Sequence, residues 1–307
     1  MKGGIKVIIF LGILILLILP LASAGFFSDF RAKITGELTQ GSTALNITIG
    51  NTAQTITFVQ VISPVIPNEN GINSTTFNFT ATDPDGVANL NDSSPQASFQ
   101  LSGETTRLNT TCKLFADIDG TSANYSCTVD MYYFDKADAS WTINVTIKDN
   151  NGAYNENTSA TFQYNSLPAL VISPTALAWT EFGVTATDQG SNNDPVLLNN
   201  TGNAEGLSIN VTAFNLQGET TITQYIYTAN FSIQNITASC SGTAPVNATS
   251  TNITSTVLQR GNNSLNYNNA TSGQEEAFFC ITAVNADLSA QSYSSAAYGS
   301  WLINIIT

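Results

Sequence analysis

Sixteen asparagines stand two residues ahead of a Ser or Thr with no Pro between: Asn46, Asn73, Asn78, Asn91, Asn109, Asn124, Asn144, Asn157, Asn199, Asn210, Asn230, Asn235, Asn247, Asn252, Asn262 and Asn269. In an exported chain this tripeptide accepts an N-linked glycan on the asparagine amide nitrogen, which requires an exposed side chain. Four copies fall in one stretch, NATSTNITSTVLQRGNNSLNYNNATSG, residues 247–273. With 34 Asn and about a fifth of the residues Ser or Thr, chance placement yields about eight such tripeptides, half the number present. A plainer reading also stands, in which Asn and Thr are only the polar half of strands in an amide-rich chain.

The second available chemistry is thiol oxidation. Cys112, Cys127, Cys240 and Cys280 are an even number, and they allow three pairings. Cys112–Cys127 and Cys240–Cys280 are expected, because each pair then stays within one half of the chain. Asp119-Gly120 is a strong hairpin-turn dipeptide, and folding about it sets residue 112 opposite residue 127. In the chain-entropy picture a loop of that size contributes about 3 kcal/mol. Thiol ligation of a metal lacks both the spacing and a histidine partner.

Acid–base chemistry is poorly supplied. The chain has no histidine, which removes the commonest general base and any Ser-His-Asp arrangement. No phosphate-binding glycine loop follows a strand, and the carboxylates are scattered through turns. Enzyme activity is therefore not expected. In TDPDGVANLND, residues 82–92, Asp83, Asp85 and Asp92 with nearby amide oxygens could hold Ca²⁺. Asp117 and Asp119 form a weaker second cluster; neither has full calcium-loop spacing, and Pro with Asp-Gly also makes an ordinary turn. No other cofactor is expected. Tyr132, Tyr133 and Phe134 read as packing rather than a sugar platform, and Trp141 and Trp301 as core plugs between sheets.

Strands must position these groups. Helical periodicity is confined to a weak pattern around Ser28–Leu38, while short alternating runs recur: STTFNFTAT, ASFQLS, CKLFA, YSCTVDMYYF, SWTINVTIK, SATFQYN, LSINVTAFNL, TQYIYTANFSI, AFFCITAV and SWLINII. Seven of the acceptor tripeptides have an apolar centre. Residues i and i+2 of a strand share one face, so Asn and Thr would meet water while Ile47, Phe79, Val145, Val211, Phe231, Ile236 and Ile253 enter a core. The length suits two all-β sandwich domains. Ser140-Trp141-Thr142-Ile143-Asn144-Val145 is echoed by Ser300-Trp301-Leu302-Ile303-Asn304-Ile305, each after a cysteine-bearing strand. The expected organisation is a signal peptide at 1–24, an amino-terminal segment with a donor or edge strand at 25–60, and sandwiches at 61–166 and 167–307.

The echo is asymmetric. After its first copy the chain runs through DNNG into SATFQYN; after its second copy no such strand follows. Residues 43–60, TALNITIGNTAQTITFVQ, supply extra strand-forming sequence. Either they fill the open edge of another copy's second domain by strand addition, or they pair within their own chain.

The compartment is written at the amino terminus. Lys2 and Lys6 precede an apolar run from Val7 to Leu19, followed by Pro20 and Ala22-Ser23-Ala24, the pattern of a secretory signal cut after Ala24. A pilin-type cut near Lys2-Gly3-Gly4 would instead retain the run, but Lys6 argues against it. Removing the segment takes the net charge from −13 to −15 with the loss of the two lysines. Sparse Lys and Arg exclude a basic face for nucleic acid. No transmembrane or lipid anchor is expected beyond residue 24.

TATDPDG, the IKDNNGA turn, NNTGN at 199–203 and the SW-x-IN strands resemble tandem immunoglobulin-like sandwiches of secreted archaeal surface glycoproteins. The resemblance covers most of the chain beyond residue 24, and its motifs are structural. It implies an extracellular, cell-surface-associated role in a surface layer or filament, with self-association or other surface proteins as partners. Adhesion or carbohydrate binding to another cell is the alternative.

Overall fold

The structure, a computed structural model, describes residues 43–237, 240–261 and 273–307, without the side chains of 254–256. The expected signal segment, the weak helical pattern at 28–38, Asn262 and Asn269 lie outside these residues. The chain divides into two units, Met1–Gly50 and Asn51–Thr307. In the first, residues 43–50 carry no helix or strand and are all exposed, with Leu45 at 85%, Ile47 at 81% and Ile49 at 87%.

The second unit is nearly all antiparallel sheet. Its first half contains β1 (Thr55–Val59), β2 (Ile72–Thr82), β3 (Gln96–Gln100), β4 (Arg107–Asn109), β5 (Lys113–Asp117), β6 (Ser122–Tyr132), β7 (Asp138–Lys148) and β8 (Tyr154–Tyr164). They form two four-stranded sheets, ordered β1-β2-β6-β5 and β4-β3-β7-β8. Alternation explains the pairing of faces. β2 buries Phe77, Phe79 and Ala81, β6 buries Ala123, Tyr125, Cys127, Val129 and Met131, and β7 buries Trp141, Ile143, Val145 and Ile147. These inner faces meet in one core with Phe99 of β3 and Phe162 and Tyr164 of β8. Fully burying one such side chain contributes about 1.5–3 kcal/mol. The outer face is hydroxyl and amide: Ser74 donates to Asp130 at 2.6 Å, and the Thr76 and Thr128 hydroxyls lie 2.7 Å apart.

The second half contains β9 (Leu170–Ser173), β10 (Thr187–Gly190), β11 (Val196–Asn200), β12 (Leu207–Thr212), β13 (Leu216–Gly218), β14 (Tyr225–Ile226), β15 (Phe231–Gln234), β16 (Ser250–Leu258), β17 (Gln274–Ala283), β18 (Tyr293–Ser294) and β19 (Leu302–Ile306). One sheet centres on β17, which pairs with β10, β11 and β15, while β9 extends it beyond β11; another is β16-β12-β19. Their shared core includes Leu198, Leu207, Ile209, Val211, Ile253 and Phe279. A small sheet, β14-β13-β18, accompanies a second apolar cluster around Ile226, Phe231, Ile281 and Val284.

Seven strands of each half share one pairing order. The run β9-β11-β17-β15 repeats β1-β2-β6-β5, and β16-β12-β19 repeats β4-β3-β7. Chain order differs once, because β15 precedes β16 whereas β4 precedes β5. Among the described residues, nothing takes the place of β8 beside β19.

Two sequence expectations need correction. Part of 43–60, placed outside the first sandwich, belongs to it: β1 takes the second alternative and pairs in its own chain with β2, from Thr55 opposite Thr82 to Val59 opposite Phe79, and Ile56 joins the first core. Of the seven apolar residues expected inside, Phe79, Val145, Val211, Phe231 and Ile253 are buried. Ile47 and Ile236, the latter 58% exposed, are not. Residues 43–50 belong to no sheet, and Ile236 lies past the end of β15 in a turn, so neither has an inner face to occupy.

Candidate functional site

Backbone pairing decides which acceptor asparagines offer a usable amide. Asn46 and Asn252 are exposed and Asn78 is half-buried, and none of the three has a side-chain hydrogen bond among the described residues. Asn91, Asn199 and Asn247 use only the amide oxygen: Asn91 accepts from the Ser93 hydroxyl at 2.7 Å, Asn199 from Gln274 and Asn247 from the Asn215 N–H at 2.9 Å. At these six positions, and at Asn230 in its 3-10 turn, the nitrogen that would carry a sugar is uncommitted.

Four other nitrogens are spent on the protein's own acceptors. Asn73 donates to Ile66 O at 2.8 Å, Asn109 to Thr128 O, Asn157 to Ile56 O at 3.3 Å and Asn210 to the Ser250 hydroxyl at 2.9 Å. Asn210 is buried, contrary to the expectation that it faces water. It sits on the central strand β12 between Asn252 and Asn304, its direct neighbours across the sheet, so three amides crowd one row. Asn124 and Asn144 donate to no acceptor among the described residues, but each, like Asn210, buries an unpartnered amide oxygen. Asn230 accepts from the Tyr227 N–H at 3.2 Å in a 3-10 turn, and Asn235 is half-buried in the turn after β15.

Each disulfide fastens a segment flanking one strand to a central strand of the sheet. β5 pairs with β6 so that Lys113 faces Ser126, which makes Cys112 and Cys127 the next pair outward, with Cα atoms 4.4 Å apart. Cys240, beyond β15, bonds Cys280 on β17 across 5.5 Å between Cα atoms.

The aspartate turns are occupied by the protein's own donors. Asp83 accepts from the Asp85 N–H at 2.9 Å and from Asn89 at 3.0 Å, Asp85 from the Thr52 N–H at 2.6 Å, and Asp92 from the Tyr125 hydroxyl at 2.7 Å. Asn51 links this turn to the next, donating to Asp149 at 2.7 Å and accepting from Asn89. That bond, with the Ala153 and Asn151 N–H groups, holds the Asp149 carboxyl below the usual range. In the β5–β6 turn, the Thr121 N–H and hydroxyl lower Asp119 in the same way. Among the described residues no group of three or more His, Cys, Asp or Glu is placed to hold a metal ion.

The aromatic run is packing. Tyr132 stacks on Phe134 with ring centres 5.4 Å apart, and the Arg107 guanidinium lies 4.5 Å from the Tyr132 ring centre. Arg107 also grips buried Asp135 through two contacts at 3.0 Å and one shorter. Taking one partner from such a pair costs about 3–5 kcal/mol.

Sequence reasoning set the boundary between the halves at 166/167 but missed the residues that hold the two together. Buried Asn203, in the NNTGN stretch, accepts from the Leu167 N–H at 2.7 Å and donates to Asp135 O at 2.9 Å and Asn165 O at 3.0 Å. The neighbouring Gly202 leaves no room for a Cβ against Leu167 O. Arg260 spans the same junction, donating to Glu104 at 2.6 Å and to Phe134 O at 2.9 Å while also pairing with Glu205. An arginine in a chain with only nine Lys and Arg is the one signal that could have led here.

No protein-family model matches the chain, and no curated protein matches it in sequence. No helix among the described residues is long and apolar enough to cross a membrane. The two disulfides are compatible with an oxidising, extracellular setting.

Proposed function

We propose that this chain is a secreted, N-glycosylated, non-enzymatic subunit of an archaeal cell surface, built into a layer or filament. The observation that carries the reading is the set of seven acceptor asparagines, Asn46, Asn78, Asn91, Asn199, Asn230, Asn247 and Asn252, whose amide nitrogens are uncommitted and whose amide oxygens are not buried without a partner. Sugar on these positions would supply the solubility that few charged side chains provide. Two cross-linked all-β halves joined by a hydrogen-bonded junction suit a load-bearing part. The resemblance to tandem immunoglobulin-like surface glycoproteins supports the same reading.

Native material decides it. Electron microscopy should reveal a repeating lattice or fibre, and glycopeptide mass analysis should find sugar first at these seven sites. Bare asparagine throughout, on single dispersed molecules, would remove the proposal. Sparse molecules that bind another cell saturably would replace it with an adhesin.

A further inference from the structure

The two halves bury the same residues to different depths. Trp141, Ile143 and Val145 on β7 are fully buried, with β3 on one side and β8 on the other. Their counterparts Trp301, Ile303 and Ile305 on or beside β19 pack on the second core but stay half-exposed. Among the described residues β19 pairs with β12 alone, from Leu302 opposite Thr212 to Ile306 opposite Ser208. Its other edge therefore presents unpaired main-chain donors and acceptors beside an incompletely covered core, an arrangement that invites a further strand. In the first half that place is taken by β8, which brings Phe162 and Tyr164 into the core.

A suitable strand exists in the same chain. Residues 43–49, Thr-Ala-Leu-Asn-Ile-Thr-Ile, alternate strictly, with Leu45, Ile47 and Ile49 on one side and Ala44, Asn46 and Thr48 on the other. They have strand-forming sequence without a sheet, and three large aliphatic side chains more than four-fifths exposed. We infer that residues 44–49 of one copy add as an antiparallel strand to the free edge of β19 in a second copy. The partner is another molecule of this chain, joined head to tail.

One register satisfies both faces. With Asn46 opposite Asn304, Ile47 falls opposite Ile303, Leu45 opposite Ile305 and Ile49 beside Trp301. The aliphatic set then covers the exposed part of the second core, as Phe162 and Tyr164 do in the first. Outside, Asn46 continues the row Asn252–Asn210–Asn304, so a glycan there would point away from the joint. Because donor and acceptor are different surfaces, the contact is heterologous, and repetition gives an open fibre rather than a closed dimer.

The four cysteines are engaged in disulfides, so introduced thiols report cleanly. Asn46→Cys and Asn304→Cys, made in separate full-length chains and mixed under mild oxidation, should yield a covalent pair that neither variant forms alone. Leu45→Asp/Ile47→Asp/Ile49→Asp lies outside the Asn51–Thr307 unit and should fold normally, yet lose at least tenfold in sedimentable polymer. An intrachain bond in the double-cysteine chain without any mixed pair would mean that β19 is closed by its own copy, which overturns the inference. So would polymers undiminished in the triple variant. The inference rests on the surface-subunit reading, and the two fail differently. Fibres that persist in the triple variant remove strand addition alone, whereas monomeric native protein bare of sugar removes the reading itself.

Discussion

The SW-x-IN strand occurs twice, and its two settings differ by one neighbour. In the first half β7 lies inside a sheet, and its tryptophan and aliphatic residues are sealed. In the second, β19 is an edge strand with the same inner residue types half-covered. Equal sequence therefore does not mean equal burial. Alternation fixes which side chains turn inward, but the neighbouring strand determines how much water they lose.

The largest expected effect tests that difference directly. Ile143→Ala removes a fully buried side chain and should cost about 3–4 kcal/mol in urea unfolding. Ile303→Ala, in the matching position, should cost about 1–2 kcal/mol in the isolated chain, because part of its surface is already wet. A synthetic peptide of residues 43–50 should widen the Ile303→Ala loss toward the Ile143→Ala value by completing the edge. Equal losses without peptide would break the comparison.

The next effect concerns what keeps the halves together. Asn203→Ala strips partners from the Leu167 N–H and from the Asp135 and Asn165 carbonyls, all at the junction. Leaving such groups unpaired should cost about 1–3 kcal/mol. The loss falls on the coupling rather than on either core. Calorimetry should therefore resolve two transitions in the variant where the parent shows one. A single transition, merely shifted, would show that the halves are coupled by other contacts.

Much of the fold was legible because the polar and apolar sets alternate with period two. That pattern placed β2, β6, β7 and β17, and the Asp119-Gly120 turn placed Cys112 against Cys127. It misplaced Ile47 and Ile236, because alternation says which face would be buried without saying whether a sheet is there to bury it. The acceptor tripeptides were legible as a set but not one by one. Whether an amide is free depends on a cross-strand neighbour, such as Ser250 beside Asn210, that is distant in sequence. The junction was hidden for the same reason: Asn203 serves groups 36, 38 and 68 residues away.

Acid should separate the halves in opposite senses, with the smallest effect of the three. In the first half, hydrogen bonds from Asn51 and from Thr121 hold Asp149 and Asp119 below the usual carboxylate range. A folded value below the unfolded one of about 3.9 means stability that is complete above that pH and lost as the pH falls through the lowered value. In the second half, burial raises Asp194, and burial with Glu276 nearby raises Glu275. Their charged forms burden the fold at neutral pH, and the burden lifts as pH falls through the raised values, above about 4. Asp135 runs against its own half, since burial outweighs Arg107 and leaves it raised. Between neutrality and about pH 4 the second half should gain, and below that the first should lose. Trp141 reports one half and Trp179 with Trp301 the other, so urea midpoints followed in single-region tryptophan variants of the Asn203→Ala chain, where the halves unfold apart, separate the responses. Asp149→Asn should flatten the low-pH loss in the first half, and Asp194→Asn the gain in the second. Parallel responses from both halves would mean that the acid behaviour comes from net charge rather than from these individual carboxyls.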